Sequence, residues 1–194
     1  AILERLAEER VTGFPLVPAM AGLITAMQDL QPGLLPHLRY MTSAAAAMPP
    51  PVTKALQRLF PDAALFLMYG QTECIRTCYL QPELAADRPL SVGRPLPGTQ
   101  VRIVGEDGEP VASGEIGELQ VCGPHVMAGY WRDEAATQRV LIQRDGKRWL
   151  KSGDLFRQDG DGLLYYVARQ DDIIKTRGEK VSPQEVERVL YSLP

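Results

Sequence analysis

Residues 65–77, LFLMYGQTECIRT, pass from an apolar run into Tyr69, Gly70, Gln71, Thr72 and Glu73. The apolar run AALFLMY is too short for a buried helix and has the length of a β-strand. Such a strand can end in a solvated turn, or its carboxyl end can present side chains to a ligand. The rest of the chain decides between these two interpretations.

Helices and strands alternate over the first part of the chain. The sequence predicts a helix in residues 1–10, an extended VTGFPLV, a helix near 18–30, a strand at LRYMTSA and a helix at PPPVTKALQRLF. This order is typical of a parallel sheet with flanking helices. Ligands of such sheets bind beyond the carboxyl ends of the strands, where residues 69–73 and the SAAAA segment are expected.

The pattern changes after about residue 88. TQVRIVGEDGEPV is an alternating strand closed by the hairpin signal Asp107-Gly108, and GEIGELQVCG is another strand. WLKSGDLFRQDGDGLLYYVAR gives two more, joined by QDGDG, which we interpret as a tight turn rather than a calcium loop. These short strands predict an antiparallel meander or distorted barrel.

The predicted fold class is therefore α/β. We expect an α/β part of a large domain over residues 1–87 and an antiparallel, barrel-like subdomain over 88–168. A hinge and the first elements of a small α+β domain follow over 169–194. In that last part, Ser182, Pro183 and Glu185 have the spacing of a helix capping box.

Composition excludes several classes of function. The chain is 45% hydrophobic and 23% charged, and its net charge of −3 gives no basic surface for nucleic acid. No apolar run approaches the ~20 residues of a transmembrane helix, and no leader is visible. The odd count of three cysteines predicts free thiols in a reducing compartment, by default the cytoplasm, rather than a zinc site. Because AILERLAEER and SPQEVERVLYSLP both lie within helical patterns, we expect an internal piece of a longer protein.

Four motifs resemble the adenylate-forming superfamily, which contains acyl-CoA synthetases, adenylation domains of peptide synthetases, and luciferases. They are YGQTE, GELQVCGPHVMAGYW, LKSGDL and ARQDDIIKTRGEKVSPQEVE, in the family's order and approximate spacing. The last is most similar to AMP-forming fatty- or aryl-acyl-CoA ligases. The resemblance implies ATP-dependent activation of a carboxylic acid to an acyl-AMP with Mg²⁺, then transfer to the thiol of CoA. A carrier-protein phosphopantetheine is the alternative acceptor, and a non-catalytic nucleotide-binding scaffold is the alternative from another class.

The YGQTE motif then supplies much of the nucleotide site. Tyr69 offers a flat ring for adenine, and Gly70 and Gln71 bring the backbone close to the ligand. Thr72 donates to the α-phosphate, whose negative charge builds during attack. Glu73 is an oxygen ligand suited to Mg²⁺.

The resemblance assigns further nucleotide contacts. Asp154 of KSGD accepts from the ribose diol and Arg169 adds a second ribose contact. Ser152 and Ala168 replace the usual Thr and Gly of the family. The loop of Ala44, Ala45 and Ala46 matches an often glycine-rich loop of the nucleotide site; its other interpretation is a plain apolar loop before a helix.

The remaining assignments concern the acid and the second half-reaction. Three residues form the near edge of the acyl pocket with Gln71: Met68, Cys74 and Ile75. Asp171 is the expected hinge, and Lys175 and Gly178 lie on the face that enters for thiol transfer. The catalytic set is thus Thr72, Glu73 and Lys175, although Lys175 can also be read as a solvated linker lysine.

Two cationic parts of the family's site are missing from the sequence. We expect the phosphate-cradling loop upstream of residue 1, and the rest of the small domain, with its second lysine, downstream of Pro194. The 194 residues alone are therefore predicted to have no ligase activity.

Overall fold

The computed structural model describes residues 2–176 and 179–192. The chain forms two units, one of residues 1–69 with 79–93 and the other of residues 70–78 with 94–194. The three-part division predicted at residues 87 and 168 remains a prediction.

The first unit contains a parallel sheet with helices between its strands. Its elements are α1 (Ile2–Glu8), β1 (Gly13–Leu16), α2 (Pro18–Ala26), β2 (Tyr40–Ser43), α3 (Pro50–Leu59) and β3 (Ala64–Gln71, whose last two residues belong to the second unit). β1 pairs with β2, and β2 with β3, both in parallel. Pro18 and Pro50 each open a helix, where a missing N–H costs nothing. The predicted parallel sheet is confirmed.

The core of the first unit is formed by apolar side chains that lie on the inner faces of its strands and helices. Leu65 and Leu67 alternate along β3 and are buried, as is Met41 of β2. Leu56 of α3 and Ile24 of α2 are buried in the same unit. This core fixes the strand that leads into residues 69–73.

The remaining strands continue in chain order. They are β4 (Cys74–Leu80), β5 (Arg94–Pro95), β6 (Gln100–Val104), β7 (Gly117–Cys122), β8 (Leu141–Arg144), β9 (Lys147–Gln158), β10 (Leu164–Arg169), β11 (Ile174–Thr176) and β12 (Glu179–Val181). The first sheet has the order β1-β2-β3-β4-β5, with β3 and β4 each divided between the two units. The two remaining helices are α4 (Glu134–Val140) and α5 (Pro183–Ser192).

An antiparallel sheet dominates the second unit. Its order is β10-β9-β7-β6, and β8 pairs with β9. Phe156, Leu119, Val121 and Leu150 are buried on these strands. The predicted antiparallel sheet is confirmed.

The two predicted turns, at residues 107–108 and 158–162, are both present. Each is stabilised by an aspartate side chain that accepts backbone hydrogen bonds. Gly108 has a φ of 80°, and Oδ1 of Asp107 accepts from the backbone N–H of Glu109 at 3.0 Å. In QDGDG, Oδ1 of Asp159 accepts from the N–H groups of Asp161 and Leu163 at 3.0 and 2.9 Å. This segment is a tight turn, as predicted.

The capping box at α5 forms in part. The backbone N–H of Ser182 donates to Oε2 of Glu185 at 3.4 Å, as the motif predicts. The Ser182 hydroxyl, however, donates to the carbonyl of Val167 at 2.7 Å. This residue therefore ties the start of α5 to β10.

Residues 65–77 contain parts of two strands joined by a tight turn, rather than one strand that ends in a loop. β3 continues to Gln71 and β4 begins at Cys74, so Thr72 and Glu73 form a two-residue turn between two strands. A Cβ at Gly70 would collide with the backbone nitrogen of Arg76. Gly70 is thus required by the close approach of its neighbouring strand, a reason that the sequence alone does not reveal.

Among residues 2–176 and 179–192, no helix is both long and apolar enough to span a lipid bilayer.

Candidate active site

Glu73, in the turn between β3 and β4, is held by two hydrogen bonds from residues 127 and 130. The backbone carbonyl of Glu73 accepts from the N–H of Met127 at 2.8 Å. Oε1 of its side chain accepts from the hydroxyl of Tyr130 at 2.6 Å. Glu73 is half-buried, whereas Thr72 beside it is exposed. The turn therefore presents one exposed hydroxyl group next to one oriented carboxylate.

Tyr130 is the site residue that sequence reasoning missed. It lies in GPHVMAGYW, part of a motif whose resemblance to the family implies no role for the tyrosine. Its hydrogen bond to Glu73, then burial and the Glu73 charge, raise the pKa of Tyr130, while the charges of Arg139 and Arg169 oppose that rise. The only sequence signal was the position of this tyrosine inside a shared motif.

A bulge in β9 presents Asp154. Glu118 of β7 lies opposite Leu155 and Gln120 opposite Lys151, so β9 has two more residues than β7 between these pairs. Gly153 within this bulge has a φ of 70°, which favours glycine. Its N–H donates to Oε1 of Glu118 at 3.2 Å. The Gly of KSGD is therefore a conformational requirement for the position of the aspartate.

Ser152 fixes the backbone of the same bulge. Its hydroxyl donates to the carbonyl of Leu119 at 2.6 Å and accepts from the N–H of Asp154 at 3.1 Å. A serine hydroxyl makes both bonds as a threonine hydroxyl would. The departure from the family pattern at this position thus preserves the polar contacts.

Asp154 and Arg169 lie opposite each other on β9 and β10. Nε of Arg169 is 3.7 Å from Oδ1 of Asp154, and the aspartate side chain is only 5% exposed against 52% for the arginine. Burial, and next the Asp154 charge, raise the pKa of Tyr166 to about 12. Tyr166 in turn packs edge-on against Phe156, with ring centroids 5.5 Å apart.

Several predicted site residues share the second unit. Glu73 and Thr72 of the turn, and Asp154 and Arg169 of the antiparallel sheet, all belong to it. Arg169 forms the ion pair with Asp154, and its positive charge makes the smallest contribution to the pKa of Tyr130, opposing the rise that the Glu73 hydrogen bond causes. The turn and the Asp154–Arg169 pair therefore belong to the same unit of the chain.

Gln71 and Cys74 flank the turn. Nε2 of Gln71 is buried and has no hydrogen-bond partner within the described part of the chain. Cys74 is fully buried, its thiol sulfur accepts from the Thr77 hydroxyl at 3.1 Å, and burial raises its pKa. Cys74 therefore offers no surface to an acid in this structure, while Ile75 beside it is 68% exposed.

The first unit carries the other predicted contacts at its strand ends. Tyr69 and Met68 are half-buried on β3. Ala45 and Ala46 lie in an exposed bend after β2, and Ala45 has a φ of 79°. An alanine in this left-handed region carries backbone strain of about 1–2 kcal/mol.

The hinge and thiol-transfer assignments remain predictions. Asp171 lies in a 3-10 turn, Gln170–Asp172, directly after β10. Lys175 pairs with Lys180 in the register of β11 and β12. Gly178 lies outside the described residues.

The donor set at the turn fits Mg²⁺. Oε1 of Glu73 is held by Tyr130, and Oε2 accepts no hydrogen bond from the residues that the structure describes. Among those residues there is no cluster of three or more His, Cys, Asp or Glu that could enclose a metal ion. A single carboxylate is compatible with Mg²⁺, which proteins bind through one or two carboxylates together with substrate phosphates.

Comparison with known proteins agrees with this geometry. The model of the AMP-binding enzyme family matches residues 1–131. The chain is 35% identical to indoleacetate–CoA ligase of Aromatoleum aromaticum and 40% identical to a feruloyl-CoA synthase of Amycolatopsis sp., in each case over its whole length. The structure of o-succinylbenzoate CoA synthetase from Bacillus subtilis with ATP and magnesium superposes with a TM-score of 0.83 at 31% identity. That match covers 98% of this chain and 38% of the synthetase.

The chain therefore belongs to the AMP-binding enzyme family, whose model covers more than half of it. It spans 37% and 38% of the lengths of the two ligases.

Proposed function

We propose that this chain forms part of the AMP and Mg²⁺ site of an AMP-forming acid–thiol ligase. In the reaction, a carboxylate oxygen of the acid attacks the α-phosphorus of ATP, and the bond to the pyrophosphate oxygen breaks. The thiol sulfur of CoA then attacks the acyl carbon, and AMP leaves. The observation that supports this most is that one unit holds both the Glu73 carboxylate, oriented by Tyr130, and the Asp154–Arg169 ion pair.

Each side chain has a distinct task in this proposal. The exposed hydroxyl of Thr72 donates to an α-phosphate oxygen, which gains charge as the bond forms. Asp154 accepts from the ribose hydroxyls, and Arg169 adds a second ribose contact. The proposed role of the Tyr69 ring is stacking on adenine, and Gly70, Gln71, Ala45 and Ala46 are the proposed backbone contacts of a nucleotide.

Glu73 is the proposed ligand for Mg²⁺, which would neutralise phosphate charge during the transfer. For the acid, Met68 and Ile75 are the proposed edge of the pocket. Asp171 is the proposed hinge, and Lys175 and Gly178 belong to the thiol-transfer face.

CoA is the proposed acceptor, since the relatives compared above are named CoA ligases or synthetases. The alternative acceptor is the phosphopantetheine thiol of a carrier protein. Acyl transfer to that thiol rather than to CoA would change the assignment. The cytoplasm is the proposed location, supported by three cysteines that are free thiols. The 194 residues by themselves are expected to form no acyl-AMP.

The test is pyrophosphate release by the full-length protein with a panel of aliphatic and aryl carboxylic acids. We expect release with ATP and one class of acid, followed by thioester formation with CoA. Glu73→Gln should lower kcat by about 100-fold, the effect of losing a few kcal/mol of charge stabilisation. The control is Glu83→Gln, because Glu83 is exposed and has no role in the proposed mechanism. Equal rates for both variants would contradict the role of Glu73.

A further inference from the structure

We propose that Tyr130 is a positioning residue for Glu73, and that its hydroxyl fixes one carboxylate oxygen so that the other stays available to the metal in one orientation. The inference rests on the proposed function, in which Glu73 is the magnesium ligand. It assigns a task to a residue that the family motif contains but that the resemblance leaves without one.

The contact itself has the form of a charge-assisted hydrogen bond. The Tyr130 hydroxyl donates to Oε1 of Glu73 over 2.6 Å, within the short range for an O–H donor and a carboxylate. Glu73 stands in a two-residue turn, and a glutamate side chain there has several rotatable bonds. The hydrogen bond removes part of that freedom before any ligand binds, which lowers the entropic cost of binding.

The two carboxylate oxygens are in different situations. Oε1 is occupied by Tyr130, and Oε2 accepts no hydrogen bond from residues 2–176 and 179–192. Metal-binding carboxylates are themselves usually hydrogen-bonded by a neighbouring group, which sets their orientation. The asymmetry at Glu73 corresponds to that arrangement.

Tyr130 is in turn held in place. Its backbone N–H donates to Oγ1 of Thr137 at 2.9 Å, and the Thr137 hydroxyl donates to the carbonyl of Asp133 at 2.8 Å. Three residues earlier, the N–H of Met127 binds the carbonyl of Glu73 at 2.8 Å. One segment therefore anchors both the backbone and the side chain of Glu73.

The exposure of Tyr130 argues against a role only in stabilising the fold. Tyr130 is 38% exposed, so its ring contributes little to the core. Loss of its hydroxyl should then affect metal binding far more than folding. This difference makes the proposal testable.

The experiment measures Mn²⁺ binding by electron paramagnetic resonance, in the full-length protein with ATP present and no carboxylic acid. We expect Tyr130→Phe to weaken Mn²⁺ binding about 10-fold, the low end of the effect of removing a partner of a metal ligand. The melting temperature should change by no more than about 2 °C, since one partly exposed hydroxyl is lost. The Mg²⁺ concentration for half-maximal pyrophosphate release should rise in parallel.

The matched control is Tyr165→Phe. It also removes a phenol hydroxyl that donates to a carboxylate, Oδ2 of Asp159, at 2.8 Å, but in the turn before β10. This variant should bind Mn²⁺ like the wild type. In the double variant Glu73→Gln with Tyr130→Phe, binding should be no weaker than with Glu73→Gln alone, because Tyr130 acts through Glu73.

Wild-type Mn²⁺ binding in Tyr130→Phe would overturn the proposal. Equally weakened Mn²⁺ binding in Tyr130→Phe and Tyr165→Phe would also overturn it. The same holds if Tyr130→Phe weakens Mn²⁺ binding only together with a large fall in melting temperature. Failure of the wild-type protein to bind Mn²⁺ with ATP, or normal binding by Glu73→Gln, would instead refute the proposed role of Glu73, and the inference with it.

Discussion

Nε of Arg169 lies 3.7 Å from Oδ1 of Asp154, because the register of β9 and β10 places these two residues opposite each other. The arginine is half-exposed and the aspartate is buried, so the pair has one face toward solvent. An ionised carboxylate only accepts hydrogen bonds, which is the chemistry that the two hydroxyl groups of a ribose diol require.

We expect Asp154→Asn to abolish discrimination between AMP and 2′,3′-dideoxy-AMP. Hydrogen bonds to a charged acceptor are worth about 1.5–3 kcal/mol, so AMP binding should weaken about 10- to 100-fold. Binding of the dideoxy compound should change little. Isothermal titration calorimetry on the full-length protein measures both ligands.

Asp161→Asn is the control for this prediction, because Asp161 lies in the exposed turn between β9 and β10. Continued preference of Asp154→Asn for AMP over the dideoxy compound would show that Asp154 does not bind the ribose.

Gly153→Ala should destabilise the protein by about 1–2 kcal/mol, the cost of a side chain in the left-handed region. The residue has a φ of 70°, while the nearest atom to an added Cβ, Nη2 of Arg169, is an ordinary 3.7 Å away. The cost should therefore come from the backbone rather than from a clash. Urea denaturation of the full-length protein measures it.

The matched variant is Gly160→Ala in the following turn, where an added Cβ meets nothing within 4 Å. It should cost less than Gly153→Ala. Equal effects of the two substitutions would contradict a conformational role for Gly153.

Ala45→Gly should stabilise the protein slightly. Glycine relieves the strain at a φ of 79° but adds freedom to the unfolded chain, so we expect a net gain of about 0.5 kcal/mol. Ala47→Gly in the same loop should destabilise, since it adds freedom without relieving a positive φ. Urea denaturation measures both variants. If the midpoints of Ala45→Gly and Ala47→Gly shift in the same direction, Ala45 is not strained.

Tyr166 should make stability depend on pH in the alkaline range. Burial, and then the Asp154 charge, raise its pKa to about 12 in the folded protein, against an ordinary value of 10.0. Between these values the unfolded chain has already released the phenol proton and the folded chain has not. Stability that is present below pH 10 is therefore lost as the pH rises toward 12.

The urea midpoint of Tyr166→Phe should accordingly fall less steeply than that of the wild type between about pH 10 and 12. Tyr40→Phe, at a more exposed tyrosine, provides the comparison. Parallel curves for the wild type and Tyr166→Phe would contradict the shifted pKa.

Local chemistry made much of the fold predictable. Pro18 and Pro50 mark helix starts, and Asp107-Gly108 marks a turn, because each of these residues restricts its own backbone. The alternation of short strands with helices predicted the parallel sheet, and the later glycine-rich turns predicted the antiparallel one. These signals lie within a few residues of the elements that they specify.

The features that the sequence did not reveal depend on tertiary contacts. Tyr130 and Glu73 are separated by 57 positions, and no local pattern identifies their hydrogen bond. The need for Gly70 arises from the backbone of Arg76 on the next strand, which was not predicted. The burial of Cys74 likewise follows from packing, and its place at the edge of the acyl pocket remains a prediction.

The Glu73 turn and the Asp154–Arg169 pair should bind one and the same nucleotide. A crystal structure of the full-length protein with AMP tests it most directly. We predict ribose hydroxyls within about 3 Å of the Asp154 carboxylate and the α-phosphate within hydrogen-bonding distance of the Thr72 hydroxyl. An AMP molecule bound elsewhere, or one that contacts only one of these two groups, would contradict the account.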